Sequence, residues 1–210
     1  MQDRMIINED EEKEEKSEKT IKNENVLRKI LDNPIILANA IIFCLYWHAT
    51  ALAYIGITLA METFEGSIYL TMFLFGLLET LASFLAGLLI SKFDLKDLLI
   101  IIGGICSFGL ILQLFLSSFW TVTFAVISKA NMEIMWTLLL TILMRIVPTD
   151  CHQFVFAFSM VFSRFILIGL DFYNEAMKSL MISPLVGFGI SMLIPVVCTF
   201  KMKYLEENKA

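Results

Sequence analysis

Six apolar runs dominate the sequence: 34–60, 67–90, 98–118, 121–147, 154–173 and 184–204. The shortest holds 20 residues. As a helix, 20 residues rise about 30 Å, the thickness of a bilayer's hydrocarbon core. Inside hydrocarbon every backbone N–H and C=O must be bonded within the protein, so only helices and closed barrels span it. A barrel needs ten-residue segments of alternating polarity, and these runs are continuously apolar. The expected fold is therefore all-α, a polytopic membrane protein with six transmembrane helices.

The rest of the composition fits around those runs. Hydrophobic residues make up 58% of the 210, and mean hydropathy is +0.75, well outside the range of an ordinary soluble domain. Charge is concentrated at the start: residues 1–33 hold 10 acidic and 7 basic side chains. Three regions follow as expectations. Residues 1–33 form a polar, acidic, disordered cytoplasmic tail, 34–204 the six-helix membrane domain, and 205–210 a cytoplasmic C-terminal tail. Within the first, residues 26–31 read as a short interfacial turn, with Val26, Leu27, Ile30 and Leu31 on one side. Asn33-Pro34 reads as a helix start, Asn as N-cap and Pro at the first helical position. The N-terminus lacks the pattern of a secretory signal, so the first membrane helix is expected to target the chain.

Lysine and arginine near the span ends set the orientation. Arg28, Lys29, Lys92, Lys96, Arg145, Lys201, Lys203 and Lys209 fall on one side. Glu62, Glu65, the serines at 117 and 118, and Glu175 with Lys178 fall on the other. Both termini are expected to be cytoplasmic.

No motif for an enzyme is present: no GxSxG, Walker loop, HExxH or Gly-rich phosphate cradle. No cofactor is expected, and no basic patch with interleaved aromatics points to nucleic acid. Cys44, Cys106, Cys151 and Cys198 lack CxxC or CxxxC spacing and read as packed thiols. Asp150-Cys151-His152 has metal-ligand chemistry on paper but no second ligand pair, and reads as a loop.

A charged side chain at the centre of a membrane helix costs roughly 2.5–3.5 kcal/mol on insertion scales, and usually faces a cavity or a partner. Four runs carry such a group at similar depth: His48, Glu79, Glu133 and Arg164. Asp171 stands at i+7 from Arg164, on the same helical face. Lys129 stands at i−4 from Glu133 and reads as its structural partner. Arg164, Glu79, Glu133, His48 and Asp171 are the candidate substrate-binding residues. For each, a helix-locking ion pair or hydrogen bond is the alternative, including a pair between Glu79 and Arg164. The third and sixth runs carry no such group, a pattern that fits a three-plus-three repeat. Gly103-Gly104 and Gly109 suit close packing of the third helix, and Pro195 a kink in the sixth.

Several stretches resemble the C-terminal half of a major facilitator superfamily transporter, in its organic cation and anion branch. Phe75-Gly-Leu-Leu-Glu79-Thr-Leu-Ala-Ser-Phe-Leu85 is similar to that branch's eighth helix, with its membrane glutamate. Gly87-Leu-Leu-Ile-Ser-Lys92-Phe-Asp-Leu-Lys96 resembles the D-x-x-G-R-R loop. Ser128-Lys129-Ala-Asn131 and Met144-Arg145-Ile-Val-Pro148-Thr149 resemble the G-K/R-M-G start and the A-E-L-Y-P-T end of the tenth helix. Arg145 stands where that last motif has glutamate, and Leu95-Lys96 where the loop has paired arginines. The resemblance covers roughly 33–204 and implies half of a twelve-helix bundle, moving a small organic ion by alternating access. Arginine at the position of Arg164 leans toward an anion. The implied partners are lipid, the solute, and a missing N-terminal half or a second six-helix chain. A non-transporting membrane subunit derived from a half transporter is the alternative expectation.

Overall fold

The computed structural model describes residues 26–60, 68–115, 118–179 and 184–204, all of them helix or short connections. Residues 26–32 form a short helix, α1. After it come α2 (Pro34–Ala60), α3 (Ile68–Lys92), α4 (Leu95–Leu112), α5 (Ser118–Ile146), α6 (Thr149–Ile168), α7 (Leu170–Ser179) and α8 (Pro184–Thr199). A 3-10 turn, Gln113–Phe115, extends α4. The expectations for Glu62, Glu65, residue 117, Lys209 and the N-terminal tail before residue 26 lie outside the described residues.

Five of these helices are long and apolar enough to cross a membrane: α2, α3, α4, α5 and α6. The sixth expected span is shorter than anticipated. α8 has 16 residues and stops at Thr199, not at 204. Its last turn tightens: Lys201 N–H donates to Cys198 O and Met202 N–H to Thr199 O, each at 3.0 Å. Lys96 Nζ then caps the end, donating to Met202 O at 3.1 Å and Phe200 O at 3.4 Å. A cation at the free carbonyls of a helix C-terminus is favourable both as donor and against the helix dipole.

The start of α2 is as the sequence predicts. Asn33 Oδ1 accepts from the Ile35 N–H at 3.0 Å and the Ile36 N–H at 3.4 Å. In α1, Val26 and Ile30 are buried while Leu27 and Leu31 are exposed, so only half of the expected apolar side is used.

Packing follows a two-fold plan. α2 and α5 lie against each other, and α4 lies against α8. α3 packs on α5 as α6 packs on α2, and α4 packs on α5 as α8 packs on α2. Exchanging α2 with α5, α3 with α6 and α4 with α8 leaves this pattern of neighbours unchanged. The core sits among α2, α4, α5 and α8, around the fully buried Phe43, Tyr46, Leu99, Leu139 and Phe188. Lipid offers apolar side chains no reason to leave it, so helix contact there depends on close fit and on hydrogen bonds. Both are present. A methyl on Gly103 would meet Val196 at 2.7 Å, and one on Gly189 would meet Ser107 O at 2.9 Å. Ser107 Oγ donates to Gly189 O at 2.7 Å, and Thr199 Oγ1 and Tyr46 OH are 2.9 Å apart. Gly104, by contrast, faces open space, so the expected packing role falls to its neighbour Gly103. α3 and α6 are the outer helices and the least buried.

One end of the bundle is tied by polar contacts. Asn39, 1% exposed, donates through Nδ2 to Ile146 O at 2.8 Å and Lys203 O at 2.7 Å. Its Oδ1 accepts from the Lys203 N–H at 3.2 Å. Tyr204 OH donates to Asp94, 2.8 Å from Oδ1, and accepts from the Lys96 N–H at 3.0 Å. Lys29 Nζ meets Asp150 Oδ2 at 2.9 Å, pinning α1 to the start of α6. Residues 200–204 thus form a strap across the ends of α2, α4 and α5.

Candidate functional site

A cavity of about 310 Å³ opens between α2, α5 and α6. α2 supplies Trp47, Ala51, Tyr54 and Ile55; α5 supplies Glu133 and Trp136; α6 supplies Met160, Ser163, Arg164 and Leu167. Each set follows helical spacing, i, i+3, i+4 and i+7, and so lies on one face of its helix. Two of the sequence-predicted residues, Glu133 and Arg164, therefore line one space. Trp47 and Trp136 meet edge to face, with centroids 4.4 Å apart, and Phe156 backs Trp47 at 4.9 Å.

The ionisable groups share a level. From the strapped end, His48 is 14 residues past Pro34 and Arg164 15 past Thr149. Glu79 is 13 residues short of Lys92, and Glu133 13 short of Ile146. At 1.5 Å per residue all four lie about 20–22 Å from that end.

Level alone does not bring them together. Glu79 points into the seam between α3 and α5, where its Oε1 lies 3.5 Å from Lys129 Nζ. Lys129 is 5% exposed, and its ammonium sits 3.9 Å from the centre of the Tyr54 ring and 4.9 Å from that of Phe75. It also donates to Thr58 Oγ1 at 2.5 Å. One lysine so joins α2, α3 and α5. This corrects two expectations: Lys129 pairs across helices with Glu79, not along its own helix with Glu133, and Glu79 is not Arg164's partner. The reason is facing. α3 packs on α5 and α6 does not pack on α3, so Glu79 meets the α5 lysine. Glu133 instead accepts from Ser83 Oγ at 3.1 Å through Oε1.

Arg164 is exposed toward the cavity mouth and, among the described residues, forms no ion pair. His48 stands outside the cavity lining, its ring 5.8 Å from Phe162 and its Nδ1 buried without a hydrogen-bond partner. Asp171 is also elsewhere. α6 ends at Ile168, Gly169 caps it by donating to Ile166 O at 3.0 Å, and Asp171 falls in the exposed first turn of the new helix α7. The unbroken i+7 register from Arg164 is interrupted at Gly169, where a residue without a side chain ends the helix easily.

The loop triplet is structural. Asp150 holds Lys29, and His152 Nε2 lies 2.7 Å from Val147 O. Among the described residues no three His, Cys, Asp or Glu side chains gather as metal ligands, and all four cysteines are free. At the strap, burial and the bond to Asp94 push the Tyr204 hydroxyl up to about 12, and the Asp150 contact raises Lys29.

The sequence reading passed over Tyr54, Trp47 and Trp136 as wall residues. Their signal was available: Trp47 and Tyr54 are seven apart, and Glu133 and Trp136 three apart, each pair on one face.

A helical bundle with five membrane-length helices and a charged cavity at mid-depth is an integral, multi-pass membrane protein of the solute-carrier kind. The sequence model of the Major Facilitator Superfamily matches residues 5–170, about four fifths of the chain, and the chain belongs to that superfamily of small-solute transporters. A comparison with curated proteins finds no match.

Proposed function

We propose that this chain moves a small organic ion by alternating access, as one six-helix half of a secondary transporter. The observation that supports it is the cavity between α2, α5 and α6, which presents Arg164 and Glu133 at one depth among aromatic walls. Arg164 offers a planar, permanently charged fork suited to a carboxylate or similar anion. Glu79 and Lys129 neutralise each other beside it and hold three helices in place. A second six-helix body, either a separate half or another copy, covers the open mouth, and both termini lie on the cytoplasmic side, where lysine and arginine gather.

The test is uptake of labelled organic ions into liposomes holding the full chain with whatever co-purifies stoichiometrically. Arg164→Ala is expected to abolish uptake while insertion is unchanged; undiminished uptake removes Arg164 from the site.

A non-transporting membrane subunit is the second reading. It is favoured by Asp94, the loop carboxylate, which is occupied by Tyr204 and the start of α4. A fixed complex with unrelated proteins and no flux of any ion supports it.

A further inference from the structure

We propose that the cavity accepts a zwitterion, a small solute with one cationic and one anionic group; this rests on the transporter reading and narrows it. Charge accounting leads there. Four ionisable side chains gather around the cavity and the adjoining seam, and Lys129 with Glu79 cancels as an internal pair. Glu133 and Arg164 are left, of opposite sign, lining one space. Among the described residues they make no ion pair with each other or with any other side chain. Ser83 occupies only Oε1 of Glu133. A solute of a single sign compensates one of these charges and leaves the other without a counter-ion in a site it has just dried, an outcome that is strongly unfavourable.

The walls sort the two ends. Tyr54 already has an ammonium over its ring, that of Lys129, while the Trp47 and Trp136 rings carry no such cation. Trp136 is one helical turn from Glu133, so aromatic surface and carboxylate stand together at the cationic end. Arg164, on the opposite helix, receives the anionic end in a two-point contact. A volume of about 310 Å³ is at the small end for ligand cavities, which limits the solute to a compact molecule.

The test uses the full chain in detergent with Trp120→Phe, an exposed site away from the cavity, which leaves Trp47 and Trp136 as the only indoles. Their fluorescence is titrated with ω-trimethylammonio carboxylates carrying one to five methylenes. Alkyl-trimethylammonium and alkyl carboxylate ions of matching length are titrated alongside. At least one zwitterion is expected to bind about tenfold or more tightly than both of its single-signed analogues. Arg164→Gln is expected to reduce its affinity to that of the ammonium, and Glu133→Gln to that of the carboxylate. A single-signed ion binding as tightly as the best zwitterion overturns the inference, as does the absence of saturable quenching by every probe. Parallel uptake into liposomes separates the failures: flux of single-signed ions sinks the zwitterion alone, whereas neither binding nor flux of any probe sinks the transporter reading too.

Discussion

Replacing Lys129 with methionine keeps the stem and deletes the charge, leaving the Glu79 carboxylate between α3 and α5 with no cation. At 3.5 Å the attraction lost is about 4–5 kcal/mol for an effective dielectric of ~20. Removing one partner of a buried pair costs about 3–5 kcal/mol, because the other stays desolvated and uncompensated. The Glu79 side chain retains 23% of its exposure, so the lower end, about 3 kcal/mol, applies. For a chain of this size that corresponds to roughly 6–12 °C in Tm. Glu79→Gln should cost less, about 1–2 kcal/mol, because the Lys129 ammonium keeps Thr58 Oγ1 and two ring faces. The double variant should recover most of the loss, since an apolar or neutral replacement of the whole pair is often tolerated. Thermal unfolding of the four proteins in one detergent, at one pH, measures this cycle. A Lys129→Met protein as stable as the parent, or a double variant no better than Lys129→Met, refutes the claim that this pair locks three helices.

Two further outcomes concern the strapped end. Asn39→Ala strips partners from Ile146 O and from both backbone groups of Lys203, and should lower stability by about 2–3 kcal/mol while accelerating proteolysis after residue 199; unchanged cleavage argues against the strap. The Tyr204 hydroxyl is held above its ordinary value of 10, so its contribution is complete below pH 10 and is lost as pH rises toward 12. The ultraviolet titration of the parent minus that of Tyr204→Phe should show one phenol ionising near 12, and a difference curve centred on 10 contradicts the bond to Asp94.

Much of this architecture is visible in the amino-acid order, because lipid imposes so few solutions. The apolar runs placed α2 to within a residue, and Asn33-Pro34 marked its start by a capping geometry that depends on local chemistry alone. The common level of Glu79, Glu133 and Arg164 was also readable, since helical rise converts position into depth. Partnership was not. Lys129 had a carboxylate four residues along its own helix and another on α3, and only helix packing selects between them. The end of α6 at Gly169 was equally hidden, because a single glycine in an apolar run is compatible with continuation, and the start of α6 at Thr149 rather than 154 was masked by polar residues that bond within the end cluster. The strap depends on contacts more than 100 residues apart in sequence, which no local pattern encodes.

The twofold plan of neighbours has a consequence for anything lodged in the middle of the bundle. α3 and α6 are equivalent by position, yet one carries a carboxylate at mid-depth and the other a guanidinium. The scaffold treats its two halves alike while the electric field across them does not. A guest with unlike ends therefore has one preferred heading inside a frame that would otherwise offer it two.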